Sequence, residues 1–219
     1  ETPQQAIFSF LIGHWIILAL ILCWFIYMGG YIHNLQNRVR DQRENLRDAH
    51  SRLEAIAVRD DLTGLYNRRH FLERLEEELS LANRNHTPLY LAIIDLDHFK
   101  RVNDNYGHHS GDEVLSRFAR IASQGLRKSD LLARYGGEEF VVLFPHATQA
   151  ASEAALERLR SRFAEQDYPF ADDVITTFSA GLTAFQPGET ANQLIKRADS
   201  ALYEAKSRGR NQLVQLPLS

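Results

Sequence analysis

Three regimes of hydrophobic patterning follow one another along the 219 residues. From Ile7 to Tyr31 the chain is nearly all apolar, with Ser9 and His14 as polar exceptions. About 20 apolar residues span a bilayer as a helix. The run therefore predicts a transmembrane helix within residues 1–31, with a fully buried core helix as the alternative. Trp15, Trp24, Tyr27 and Tyr31 are suited to anchoring it near the interfaces. From Ile32 to Ile56 the apolar positions fall at 3–4 spacing: Ile32, Leu35, Val39, Leu46, Ala49, Leu53 and Ile56, with Gln42 the polar member. That repeat, free of Pro and Gly, predicts a two-stranded coiled coil over 32–58. A single amphipathic helix lying on its own domain is the alternative. Arg38 and Arg43 would oppose each other in a parallel pair, so an adjustable rather than a rigid dimer is expected.

Beyond this, residues 59–219 alternate short strand-like runs with amphipathic helical stretches. The pattern predicts helices over 67–83, 98–105, 111–125, 148–166 and 190–206. Strands are expected at 89–96, 174–185 and 211–215, with a hairpin at 131–144. The expected fold is α+β: one antiparallel sheet with helices on one face, preceded by a transmembrane helix and a coiled-coil linker.

Charge adds an orientation. Arg38, Arg40, Arg43 and Arg47 follow the apolar run, and the positive-inside rule then places everything after residue 32 in the cytoplasm. The net charge of −3 gives no bulk basicity for nucleic acid. The lone Cys23 excludes a disulfide framework and a cysteine metal site. The first residue is Glu1 rather than methionine, which is expected of a fragment with chain upstream.

The candidate chemistry is acidic. Residues 134–140 read Arg-Tyr-Gly-Gly-Glu-Glu-Phe between two strand-like flanks. Two glycines make a bare turn that a ligand can approach, and Glu138 and Glu139 sit where the chain leaves it. The apolar strand 89–96 runs into Asp95 and Asp97, which alternation puts on one side. Pairing of this strand with the hairpin would bring Asp95 and Glu138 together. A divalent cation relieves such repulsion, and Mg²⁺ takes hard oxygen ligands and substrate phosphates. The backbone amides near His98 to Lys100 would open a short helix and seat a phosphate, with Lys100 adding charge. Asn103 offers an amide donor and an acceptor, and Asp112 acceptors only, a set that matches the edge of guanine. Lys206 and Arg210, near the end of the last helix, can reach a triphosphate. No Walker loop, dinucleotide fingerprint or His-x-Glu zinc pattern is present. His108 and His109 are adjacent and are expected in a loop.

The ordered set of motifs resembles the GGDEF-domain diguanylate cyclases. It comprises Asp61-Leu62-Thr63-Gly64-Leu65-Tyr66-Asn67-Arg68-Arg69, Asp95 to Lys100, Asn103 to Asp112, the Gly136-Gly137-Glu138-Glu139-Phe140 signature, and Ala198 to Asn211. The resemblance implies a fold like the palm of nucleotide cyclases and polymerases, in a membrane-anchored member of the bacterial inner membrane. It implies condensation of two GTP into cyclic di-GMP by a homodimer joined through the coiled coil and the catalytic domains. It further implies Mg²⁺, with Mn²⁺ as a substitute, held by Asp95, the Leu96 carbonyl and Glu138, with Glu139 associated with the metal and catalysis. Asn103 and Asp112 would read guanine, and Lys100, Lys206, Arg210 and the His98–Phe99 amides would hold phosphates. Arg127-Lys128-Ser129-Asp130 resembles the family's inhibitory product site, with Arg158 as its second arginine. A non-catalytic binder of cyclic di-GMP is the competing reading, disfavoured because the acids and the guanine-reading residues are all kept.

Overall fold

The computed structural model describes residues 24, 27–33, 35–36, 38, 40, 42–43, 58–170 and 176–216. The chain divides into two compact units, Glu1–Ile56 and Ala57–Ser219.

In the first unit the described residues from 24 to 43 are helical. Trp24, Tyr27, Tyr31, Ile32 and Leu35 are exposed. The expected membrane-spanning helix is corrected: among the described residues, no helix is long and apolar enough to cross a membrane. Much of the apolar run, including His14 and Cys23, lies outside the described residues, as does the heptad stripe from Leu46 onward. The described part turns polar from His33 through Arg38, Arg40 and Arg43, which ends its apolar length. The placement at a bacterial inner membrane, with a cytoplasmic catalytic domain, rested on that span and falls with it.

The second unit runs β1 (Tyr66–Asn67), α1 (Arg68–Asn85), β2 (Leu89–Leu96), α2 (Phe99–Tyr106), α3 (His108–Gly125), β3 (Leu131–Gly136), β4 (Glu139–Pro145), α4 (Gln149–Ala164), β5 (Phe178–Ala184), α5 (Ala191–Ser207) and β6 (Leu213–Gln215). The strands form one sheet in the order β1-β3-β4-β2-β5-β6. The centre is antiparallel, β2 lying between β4 and β5. The outer pairs β1–β3 and β5–β6 are parallel. The sheet is therefore mixed, antiparallel at its centre with parallel outer pairs, which corrects the expectation of one antiparallel sheet.

A second correction concerns the layers. Helices cover both faces, not one. Ala92, Ile94 and Leu96 of β2 pack with Phe140, Val142 and Phe144 of β4 against α3 and α4. Leu89, Leu91 and Ile93 pack with Val141 and Leu143 against α1 and α5. Seven of the eight residues of β2 are buried, which is the unbroken apolar run expected of a strand covered on both sides. His108 and His109 also differ from expectation: they open α3 rather than standing in a loop.

Local chemistry fixes the helices that carry the site. Asn67 caps α1 by accepting from the His70 amide at 3.0 Å. Thr190 and Gln193 form a reciprocal capping box at the start of α5. α5 then crosses β5 at Gly181, where a Cβ would come within 2.2 Å of the Ala198 carbonyl and the Leu202 amide. This close approach sets the line along which α5 delivers its last turn, and with it Lys206, to the end of β2.

Candidate active site

The site gathers at one end of the central strands. β2 and β4 pair so that Asp95 stands directly opposite Glu139. Opposed residues of an antiparallel pair project to one face, so these are the two carboxylates that converge. Glu138 lies one residue earlier, in the turn, and meets β2 through its carbonyl, which accepts from the Leu96 amide at 3.3 Å. The sequence pointed to Glu138 as the partner of Asp95; the register gives that position to Glu139. The β2–β4 register runs unbroken from Leu89 opposite Pro145 to Asp95 opposite Glu139.

The turn is held from outside. Gly137 has φ of +45°, and its carbonyl accepts from Arg134 Nε and Nη2 at 3.1 and 2.9 Å. Arg134 Nη1 pairs with Asp60 at 3.1 Å. Asp60 also accepts from the Thr63 amide and hydroxyl at 2.9 and 2.6 Å. Burial alone would raise the Asp60 carboxyl, but the Thr63 bonds and Arg134 outweigh it and hold it below the usual range.

The electrostatics of the acidic pair run the other way. Burial pushes the Asp95 carboxyl up, against the pull of Lys206 and Arg210 and with a further push from Asp97. Burial also raises Glu139, and the neighbouring Asp95, Asp199 and Glu138 add to it. Lys206 Nζ lies 2.9 Å from Asp95 Oδ2. Repelling, partly desolvated carboxylates of this kind are stabilised by a cation. Among the described residues, no group of three or more acidic, His or Cys side chains is close enough to form a metal cage. The donor set thus fits Mg²⁺ that takes one or two carboxylates and completes its shell with water and phosphate oxygens.

Around this centre the predicted binding residues take distinct positions. His98 stands before α2 with φ of +56° and makes no side-chain cap. His98 and Lys100 are exposed, whereas the Phe99 ring is buried, leaving Phe99 only its amide to offer. Asn103 of α2 lies against Gly111 of α3, where a Cβ would come within 2.0 Å of its Oδ1. Asp112 follows and is exposed. Arg127, Asp130 and Arg158 are brought together elsewhere. They line a cavity of ≈ 130 Å³ with Phe144, Ala147 and Ala151 among its apolar walls. Asp130 Oδ2 accepts from the Arg127 amide at 2.8 Å, and burial raises its carboxyl. Arg158 donates to the Gly125 carbonyl at 2.8 Å.

Nothing in the sequence assigns a role to Asp97 or to the Asp60–Arg134 pair. Asp97 was visible as the second acid after β2, but its partners lie 80 to 114 positions away. Arg134 adjoins the signature, and Asp60 adjoins the first motif, yet nothing in either segment names the other.

The family profile described as Diguanylate cyclase, GGDEF domain matches residues 57–212. The chain belongs to that family. It is 43% identical over 190 residues to the diguanylate cyclase DgcP of Pseudomonas aeruginosa, covering 85% of this chain and 28% of that protein. It is 40% identical over 163 residues to the response regulator PleD of Caulobacter vibrioides, covering 73% of this chain and 36% of PleD. The chain thus spans about a third or less of the length of these curated relatives. Among solved structures it resembles the GGDEF domain of DgcB from Caulobacter crescentus in complex with c-di-GMP, with a TM-score of 0.71 and 34% identity over 73% of this chain and 95% of that one. The active GGEEF domain of a diguanylate cyclase from Vibrio cholerae gives 0.65 and 32%, over 70% and 98% respectively.

Proposed function

We propose that residues 59–219 form a diguanylate cyclase domain that condenses two GTP molecules into cyclic di-GMP, releasing two pyrophosphates. The observation that carries this reading is the opposition of Asp95 and Glu139 at the end of the central strands, with Lys206 at 2.9 Å from Asp95. An acidic pair beside a lysine suits a triphosphate that arrives with its cation. Mg²⁺, or Mn²⁺ in its place, held by Asp95, the Leu96 carbonyl, Glu138 and Glu139, would neutralise charge building on the phosphates. Lys206, Arg210 and Lys100 bind the phosphate oxygens, assisted by the amides of His98 and Phe99 at the start of α2. Asn103 and Asp112 orient the guanine.

Each domain holds one GTP, so the reaction needs two domains face to face. The 3′-hydroxyl of each nucleotide attacks the α-phosphorus of the other, two P–O bonds form, and two pyrophosphates leave. The hydroxyl protons pass to acceptor groups of the site or to water. A second copy of the chain is the partner, and residues 32–58 serve as the coiled-coil linker that raises the local concentration of domains. The cavity of Arg127, Asp130 and Arg158 serves as the product-inhibition site. Its two guanidinium groups suit phosphate and the purine edge.

The test is turnover. Purified protein with GTP and Mg²⁺ yields cyclic di-GMP and two pyrophosphates per product. The rate per mole of protein rises with protein concentration until the dimer saturates. Binding of cyclic di-GMP without any turnover of GTP would instead establish the non-catalytic binder.

A further inference from the structure

The segment after α5 has an unusual backbone. Gly209, Arg210 and Asn211 have φ of +114°, +65° and +47° in succession. Left-handed conformation is unfavourable for a non-glycine residue, and here two non-glycines adopt it together. Such a turn persists only where neighbours over-determine it. Three tethers do so. The Arg210 amide donates to the Ala205 carbonyl at 3.1 Å. Arg160 Nη1 of α4 donates to Asn211 Oδ1 at 2.9 Å and to its carbonyl at 3.3 Å. The Asn211 amide donates to Asp97 Oδ2 at 3.0 Å.

Asp97 is itself immobilised. It follows β2, and 8% of its surface is exposed. Its Oδ2 also accepts from the Thr177 hydroxyl at 2.8 Å, and its Oδ1 from the Ser179 hydroxyl at 2.7 Å. Its own amide donates to the Thr177 carbonyl at 2.9 Å. A carboxylate gripped in this way by β5 is a fixed post, and the chain next to Arg210 is tied to it. Asp97 stands two positions after Asp95, so the Asn211 bond holds the turn carrying Arg210 beside the acidic end of β2.

We infer that Asp97 is the positioning residue for Arg210: its carboxylate pins the left-handed turn 209–211 so that the Arg210 guanidinium faces the phosphates beside Asp95. This rests on the reading that Arg210 binds the triphosphate of GTP. Asp97 touches neither substrate nor reacting atoms. It converts a flexible cation at a helix end into a pre-aimed one, and pre-organisation lowers the ordering cost of binding. Ala in its place removes both acceptor oxygens, whereas Asn would keep one oxygen for the Asn211 amide and donate its N–H₂ to the Ser179 hydroxyl.

The test is a double-mutant cycle on the full chain, read as initial rates against GTP concentration, with melting temperatures in parallel. Arg210→Ala is expected to raise KM for GTP by about tenfold, the scale of one charge-assisted contact. Asp97→Ala is expected to raise KM comparably. In the Arg210→Ala background it adds less than about twofold, because its target is already gone. Thr177→Val with Ser179→Ala removes the other two side-chain bonds to the same carboxylate. It loosens the post but leaves the Asn211 bond, so it is expected to lower the melting temperature and to raise KM by less than loss of the whole carboxylate does. The inference is overturned if Asp97→Ala leaves KM unchanged while Arg210→Ala raises it, if the two effects multiply in full, or if the Thr177–Ser179 pair raises KM as much as Asp97→Ala. No effect of Arg210→Ala on KM would overturn the phosphate role of Arg210 and the positioning role with it.

Discussion

Arg134 joins Asp60, 74 positions away, to the turn of the signature hairpin: Nη1 lies 3.1 Å from Asp60 Oδ1, while Nε and Nη2 donate to the Gly137 carbonyl. One guanidinium therefore holds both the segment that enters the domain and the glycine that precedes Glu138. A single planar group thus fixes residue 60 and the turn to one another.

Asp60→Asn is expected to lower both stability and turnover. Breaking a partly buried, hydrogen-bonded charge pair costs about 1–3 kcal/mol. The sign with pH follows from the depressed Asp60 carboxyl. Its contribution is present above the ordinary carboxylate value of 3.8 and is lost as pH falls through the folded value. Urea denaturation of wild type and variant should therefore differ at neutral pH and converge in strong acid. An equal gap at both pH values would separate the effect from the ionised pair.

Glu139→Gln reverses the sign. Glu139 is raised by burial and by Asp95, so its ionisation opposes folding. The stability associated with it is full below its ordinary value of 4.5 and is lost as pH rises through the folded value. In the presence of a chelator the variant should melt above wild type at neutral pH, and the difference should vanish in acid. Added Mg²⁺ should raise the melting point of wild type more than that of the variant. Activity should fall by roughly a hundredfold or more, as when a group stabilising developing charge is lost.

Gly111→Ala separates specificity from stability. Alanine is favoured over glycine in a helix by about 1 kcal/mol, but the new methyl would occupy the place of Asn103 Oδ1. The Asn103 side chain is the flexible partner and must turn away. The methyl also meets the buried Phe99 ring at 3.1 Å, which offsets the helix gain, so the melting temperature should change little while the preference for GTP over ATP falls by about tenfold, the scale of one lost polar contact. Kinetics with both nucleotides measures this. An unchanged preference would remove Asn103 from guanine recognition.

Arg127→Ala should relieve feedback while keeping the initial rate. The cavity it shares with Asp130 and Arg158 is lined by none of the residues at the acidic pair. Progress curves with and without added cyclic di-GMP report the difference, and calorimetry should show product affinity weakened by about tenfold or more. Equal slowing of both proteins would return Arg127 to an ordinary surface residue.

The sequence was most legible where chemistry is local. The Gly-Gly turn, the acid-terminated strand β2 and the helices α4 and α5 all stand near their expected places, because caps, alternation and period are short-range signals. The layer arrangement was missed although β2 advertised it: an unbroken apolar run is buried on both faces, and α1 and α5 occupy the second. The partner of Asp95 was not legible, since the β2–β4 register that puts Glu139 rather than Glu138 across from it is set only when the two strands pair. The two-residue strand β1 is too short to show a period at all. Asp97 found its partners only through the assembled sheet.

The central position of β2 divides the active site by its cooperativity. Asp95 is mounted on a strand flanked by two others and packed on both sides, so its amide should open to solvent only with the whole domain. Asn103 and Asp112 stand on α2 and the start of α3, at the domain's surface. As denaturant or temperature rises, these outer turns should fray first. The domain should therefore lose its discrimination between purines while it still holds its acidic centre, failing as a selective catalyst before it fails as a folded one.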